Sequence, residues 1–172
     1  LPDHLPDDIA IAAINAPTTT IVAGPPNSIT ALLHHCQHHH IKTRRIDVDY
    51  ASHSPAIETI TDHITTAATG IHPQTTTIPM HSTVTGQPVN GPELDHQYWY
   101  DNIRNTVQFH PTITHLAHHG HTTYIETSPH PTLTHSIQHT LDTHHTPTIT
   151  TGTLHRHHPA RTQLLTNLAH LH

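Results

Sequence analysis

Apolar positions along this chain fall in short runs whose spacing alternates between strand-like and helix-like. Ile9 to Ile14 and Thr18 to Val22 are β-branched stretches separated by Asn15-Ala16-Pro17, a turn signal, which predicts an antiparallel pair. Gly24-Pro25-Pro26-Asn27-Ser28 breaks that pattern and can cap a helix starting near Ile29. Ile29, Leu32, Leu33 and Cys36 then share one helical face. Ile41 to Tyr50 reads as a further strand, and Ile57, Ile60, Ile64 and Ala67-Ala68 as a helix ending at Gly70.

Past Gly70 the two periods keep alternating. Thr75 to Ser82 is strand-like but broken by Pro79, Asp95 to Ile103 helical, and Pro111 to His119 a helix stopped by Gly120. Thr122 to Thr127 predicts a strand, Leu133, Ile137 and Leu141 one helical face, and Thr148 to Leu154 another strand. Arg161 to Leu171 closes the chain as a helix with Leu164, Leu165 and Leu168 directed inward. Strands alternating with helices imply α/β layering with parallel strands. No repeat of fixed period is visible.

Composition narrows the classes. Only 33% of residues are hydrophobic and 3% aromatic, so the core must rest on Ile, Leu, Val and Ala, with Trp99 and Phe109 as large anchors. A chain this poor in apolar surface is marginal by itself. The net charge is −6 with only six Lys and Arg, which argues against nucleic-acid binding, since phosphate neutralisation needs clustered fixed cations. Cys36 is the single cysteine, so no internal disulfide forms and a reducing cytoplasmic location is expected. No apolar run approaches the ~20 residues of a membrane span.

Most of the 26 histidines sit in biased tracts beside threonine. His34/His38 and His35/His39 are i,i+4 pairs suited to zinc or nickel, and His118, His119 and His121 or His155, His157 and His158 form further clusters. Compositional drift explains the inflation of both histidine and threonine, whereas metal binding explains only one, so no metal site is assigned. His53 is different. It follows the β-rich Ile46-Asp47-Val48-Asp49-Tyr50 and precedes Ser54-Pro55, which can open a helix. A loop between a strand and a helix is exposed yet held at both ends, and a neutral imidazole there suits a general base.

Tyr50-Ala51-Ser52-His53-Ser54-Pro55 resembles the segment bearing the catalytic histidine in acyltransferase domains of modular type I polyketide synthases. Collinear matches accompany it. Ala12-Ala13-Ile14-Asn15-Ala16-Pro17 with Thr20-Ile21-Val22-Ala23-Gly24 is similar to the family's AVNGP…VVSG strands, and Ser82-Thr83-Val84-Thr85-Gly86 to its STVTG. Tyr98 to Phe109 resembles YWYRNLRxPVRF, Glu126 to Leu133 EVSPHPVL, and Gly152 to Arg156 GTLRR. The resemblance implies an α/β fold: a partial ferredoxin-like small subdomain over residues 1–48 and the C-terminal part of an α/β-hydrolase-like large subdomain over 49–172.

It also implies a chemistry. His53 would be the general base of an acyl transfer from malonyl- or methylmalonyl-CoA to a serine and on to an acyl carrier protein. The resemblance implies that the orienting group is a backbone carbonyl from the loop matching Asp101-Asn102 rather than an acidic side chain, with Asn102 the residue assigned and Asp101 its nearest rival. Tyr50, Ala51 and Ser52 would shape the substrate site: Y-A-S-H accompanies methylmalonyl units, since Ser52 in place of phenylalanine leaves room for a methyl worth ~1–3 kcal/mol of discrimination. Asn15 would face the substrate cleft or simply serve the turn. Ser128-Pro129-His130-Pro131 would bring a second histidine towards the site or, the favoured reading, only build a turn.

None of Ser28, Ser52, Ser54, Ser82, Ser128 and Ser136 has the G-x-S-x-G context of the nucleophile elbow. The chain therefore looks like the C-terminal part of such a domain and is expected to be inactive alone. Neighbouring synthase domains and the carrier protein are the implied partners, with no bound cofactor. A histidine-rich metal-binding module and a non-catalytic fragment are the competing readings.

Overall fold

The computed structural model describes residues 5–143 and 147–171. Its element order is β1 (Ala10–Ala16), β2 (Thr19–Ala23), α1 (Pro26–His38), a 3₁₀ helix (Pro55–Ile60), α2 (Thr61–Ala67), β3 (Met80–Ser82), β4 (Gln87–Val89), α3 (His96–Arg104), α4 (Phe109–His118), β5 (Thr123–Glu126), α5 (Thr134–Leu141), β6 (Ile149–Gly152) and α6 (Ala160–Ala169). The fold is mixed α/β, with the strands paired as β1–β2, β3–β4 and β5–β6. Among the described residues no helix is long and apolar enough to cross a membrane.

Two compact units emerge, one from Leu1–Ile14 with Thr20–Gln108 and the other from Asn15–Thr19 with Phe109–His172. They cut the chain differently from the 1–48 and 49–172 division that the resemblance implies. Compactness within this chain is a different criterion from descent of a subdomain.

In the first unit, α1 starts at Pro26, earlier than the expected Ile29, because proline at the first helical position supplies a preset φ and forfeits no hydrogen bond. The Ser28 hydroxyl donates to the Asp8 carboxylate beside it. Leu32 and Cys36 of α1 are buried with Ile9, and Leu5, Val22 and Ile29 pack around them. Ser54 caps the 3₁₀ helix: its hydroxyl accepts from the Ala56 N–H at 3.3 Å and donates to the Ala51 carbonyl at 2.6 Å. Asp95 caps α3, accepting from the N–H groups of Gln97 and Tyr98, both at 3.0 Å. Arg104 ties α3 to Glu58 of the 3₁₀ helix at 2.6 Å.

Three expectations fail in this unit. Ile41 to Tyr50 is not a strand: Ile46, Val48 and Tyr50 are 48%, 50% and 66% exposed. β-branched alternation favours a strand only where a neighbouring strand accepts the ladder, and none does here. The expected strand from Thr75 shrinks to Met80–Ser82, because Pro79 removes an N–H, and it pairs antiparallel with the unanticipated β4 (Met80 opposite Val89). Trp99 is no core anchor but 39% exposed, lying edge-on to Tyr98.

The second unit is built on parallel β5 and β6, in register from Thr123 opposite Ile149 to Glu126 opposite Gly152, with α5 in the crossover. Ile113, Tyr124, Ile137 and Leu141 form its core, and Phe109 packs against them as expected. The Glu126 carboxylate, at the end of β5, accepts the N–H groups of Thr132 (2.9 Å), Leu133 (2.8 Å) and Thr134 (2.9 Å) and the Ser128 hydroxyl (3.0 Å). It thereby closes the Ser128–Pro131 turn and caps α5. Leu164, Leu165 and Leu168 do not point inward; they are 38%, 55% and 44% exposed. Instead α6 is fixed by polar contact, Asn167 donating to the Gly152 carbonyl at 2.7 Å.

Candidate functional site

The first unit contains a cavity of about 230 Å³ lined by His53, Thr83, Val84, Asn102, Asn105, Thr106 and Val107. Three local structures make its walls. His53 comes from the loop before the Ser54 cap, Thr83 and Val84 from the β3–β4 connection, and Asn102 to Val107 from the end of α3 and the segment beyond it.

His53 is held by the C-terminal end of α3. Its backbone N–H donates to the Ile103 carbonyl at 2.7 Å, and its ring Nδ1 lies 2.9 Å from the Asn105 carbonyl oxygen. The last carbonyls of a helix have no partner further along it, so they are free to accept both bonds. A carbonyl only accepts, so Nδ1 carries the proton and Nε2 keeps its lone pair. The backbone at His53 has φ 58, in the left-handed region that non-glycine residues rarely occupy. Strain of this kind gathers at sites where a side chain must be aimed.

The β3–β4 connection is held by its own hydrogen bonds. Ser82, 1% exposed, shares a hydrogen bond of 2.8 Å with the Tyr98 hydroxyl of α3 and accepts the Val84 N–H at 3.1 Å. The Thr83 carbonyl accepts the Gln108 N–H at 2.7 Å. Neither Ser82 nor Tyr98 stands out in the sequence as functional, and only the quoted S-T-V-T-G and Y-W-Y blocks mark them.

The orienting contact expected at Asn102 is made one turn later, by Asn105. Asn102 lines the cavity, but the carbonyl that meets Nδ1 belongs to the residue just past the helix end. Asp101 instead accepts from the Gln97 side chain at 3.1 Å on the helix surface. Tyr50 is 66% exposed, while Ala51 and Ser52 are half-buried beside His53; none of the three lines the cavity. Half-buried Asn15 lies in β1, within the second unit. His130 packs edge-on against His155 at 4.3 Å in the turn that Glu126 closes. His155 is further flanked by His158 and His157, and its pKa is lowered, chiefly by desolvation and then by the charges of its neighbours.

His34, Gln37, His38 and His40 border a broad depression at the end of α1. Among the described residues no group of three or more His, Cys, Asp or Glu side chains is arranged to hold a metal ion.

Known proteins share this architecture. The family model for the acyl transferase domain matches residues 3–172. Polyketide synthase GfsE of Streptomyces halstedii is 40% identical over 164 residues, 95% of this chain and 4% of the relative. Erythronolide synthase EryA2 of Saccharopolyspora erythraea is 38% identical over 136 residues, 79% of this chain and again 4% of the relative. Among solved structures, the acyltransferase domain from module 8 of the salinomycin polyketide synthase superposes with a TM-score of 0.92 at 42% identity, covering 95% of this chain and 38% of that one. The loading acyltransferase of the avermectin synthase gives 0.88 at 36% identity, covering 98% and 52%. The chain thus spans a small fraction of the relatives' length and about two fifths to a half of the solved domains. The chain belongs to the acyl transferase domain family, within the acyltransferases of polyketide synthases.

Proposed function

We propose that this chain supplies the general base of an acyltransferase that loads an extender unit onto an acyl carrier protein. One observation carries the reading: His53 lines the cavity with Nδ1 donating to the Asn105 carbonyl and Nε2 left as an acceptor. In the first half-reaction Nε2 takes the proton of a serine hydroxyl as its oxygen attacks the thioester carbonyl of an acyl-CoA. The carbon–sulfur bond breaks, and the imidazolium returns the proton to the departing thiol. The second half-reaction repeats these steps with the carrier's phosphopantetheine thiol as nucleophile and the serine as leaving group.

The cavity lining contains no serine, so the attacking hydroxyl would come from another part of the domain, and this chain alone would be inactive. The Tyr50-Ala51-Ser52-His53 sequence supports methylmalonyl over malonyl as the unit transferred. A cytoplasmic synthase with neighbouring domains as partners fits this chemistry. The test is acyl transfer by the domain that includes this segment. Rates from methylmalonyl-CoA above those from malonyl-CoA support the specificity, equal rates would remove it, and undiminished transfer in His53→Gln would remove the catalytic role.

A further inference from the structure

The segment Asn105 to Gln108 forms a strap in which each residue meets a different neighbour. The Asn105 carbonyl accepts from His53 Nδ1 at 2.9 Å, and the Thr106 hydroxyl donates to the Ile11 carbonyl of β1 at 2.6 Å. The Val107 N–H donates to the Ala12 carbonyl at 2.9 Å, its carbonyl accepts from the Ile14 N–H at 3.0 Å, and the Gln108 N–H donates to the Thr83 carbonyl at 2.7 Å. Which way the Asn105 carbonyl points is governed by the torsions on either side of that peptide. α3 has already ended there, with Asn105 at φ −86 and ψ 159, and the bonds of Val107 begin beyond the torsions of residue 106. Among the described residues only the Thr106 hydroxyl spans this gap.

We propose that Thr106 is a positioning residue for His53: its hydroxyl, anchored on Ile11, locks the Asn105 peptide so that the carbonyl meets Nδ1. The torsions of Asn105 are those a following proline permits, and among the described residues the Thr106 N–H makes no backbone hydrogen bond that proline would forfeit. The motif that Tyr98–Phe109 resembles carries proline at this place. A ring in one case and a hydroxyl in the other fix the same peptide.

The functional meaning rests on His53 as the base, but the test does not require turnover. Long-range ¹H–¹⁵N correlation spectra of the histidine-labelled chain, at a pH where imidazoles are neutral, report each ring's tautomer, and His53 is assigned by its disappearance in His53→Gln. Free imidazole prefers the proton on Nε2, so the Nδ1–H form at His53 is the signature of the Asn105 contact. Thr106→Val keeps the shape and loses the bond, and should shift the tautomer ratio about fivefold towards Nε2–H, the change one net hydrogen bond carries. Thr106→Ser and Thr106→Pro should retain the wild-type ratio. An unshifted Thr106→Val, or a Thr106→Pro that shifts as far, overturns the proposal. Should Thr106→Val unfold the chain, Thr106→Pro decides alone, in the same two directions. A retained Nδ1–H tautomer together with unimpaired acyl transfer in His53→Gln would reject the base and leave the positioning contact standing.

Discussion

Glu126→Gln isolates the contribution of one carboxylate to the second unit. In the native chain one carboxylate oxygen accepts the Leu133 and Thr134 N–H groups at 2.8 and 2.9 Å, and the other accepts the Ser128 hydroxyl at 3.0 Å and the Thr132 N–H at 2.9 Å. Glutamine has the same shape but no charge and one acceptor oxygen fewer: with its carbonyl oxygen towards Leu133 and Thr134, its NH₂ faces the Thr132 N–H, while the Ser128 hydroxyl turns to accept from it and donates to the His130 carbonyl. A hydrogen bond to a charged acceptor contributes about 1.5–3 kcal/mol and a neutral one about 1 kcal/mol; with the site half-exposed, the net loss is about 2 kcal/mol. Hydrogen–deuterium exchange of α5 peptides should therefore accelerate about thirtyfold at neutral pH.

The pH dependence gives a second check. Burial raises the Glu126 pKa, but the N–H groups of Thr132 and Leu133, the Ser128 hydroxyl and the Thr134 N–H outweigh it and hold the carboxyl below its usual range. A folded-state pKa lowered in this way stabilises the fold fully above the ordinary carboxylate value of about 4.3 and loses the contribution as pH falls through the lowered value. The gap between wild type and Glu126→Gln should be widest near neutrality and narrow as pH falls below the ordinary carboxylate range. An acceleration below about threefold, or a gap that does not change with pH, would refute the reasoning.

Other consequences are more local. Gly91 has φ +108 and a Cβ there would stand 2.0 Å from the Gln74 carbonyl oxygen, so Gly91→Ala should lower the thermal stability of the first unit by more than about 2 kcal/mol. Leu141 is 1% exposed among Ile113, Tyr124 and Ile137, and Leu141→Ala should cost about 3 kcal/mol in denaturant unfolding of the second unit while leaving α3 peptides equally protected from exchange.

Much of this fold is legible from local signals. The helical stretch expected over Asp95 to Ile103 lies within a residue of α3, and the β-branched runs bracket β5 and β6 closely, because in each case the determinant lies within a few residues. Ile41 to Tyr50 shows the limit. Its alternation has the strand period, but a strand needs a partner, and partnership is not written in the segment itself. The leucines of α6 fail for a similar reason, since their inward direction presupposes an apolar layer that this unit does not bring to them. At the site, His53 stands out through the residues around it, whereas Asn105 does not. Its contribution is a backbone carbonyl, and any residue type can supply one. Only the geometry of a helix end shows which carbonyl is unpaired and near enough.

The central claim is that the ring of His53, aimed by the end of α3, takes and returns the proton in acyl transfer. The direct measurement is single-turnover acylation and carrier loading by the acyltransferase domain that includes this segment, wild type against His53→Gln, with equal folding verified by circular dichroism. The account predicts that both half-reactions slow together by about 10²–10⁴-fold. Loading by His53→Gln at the wild-type rate would contradict it.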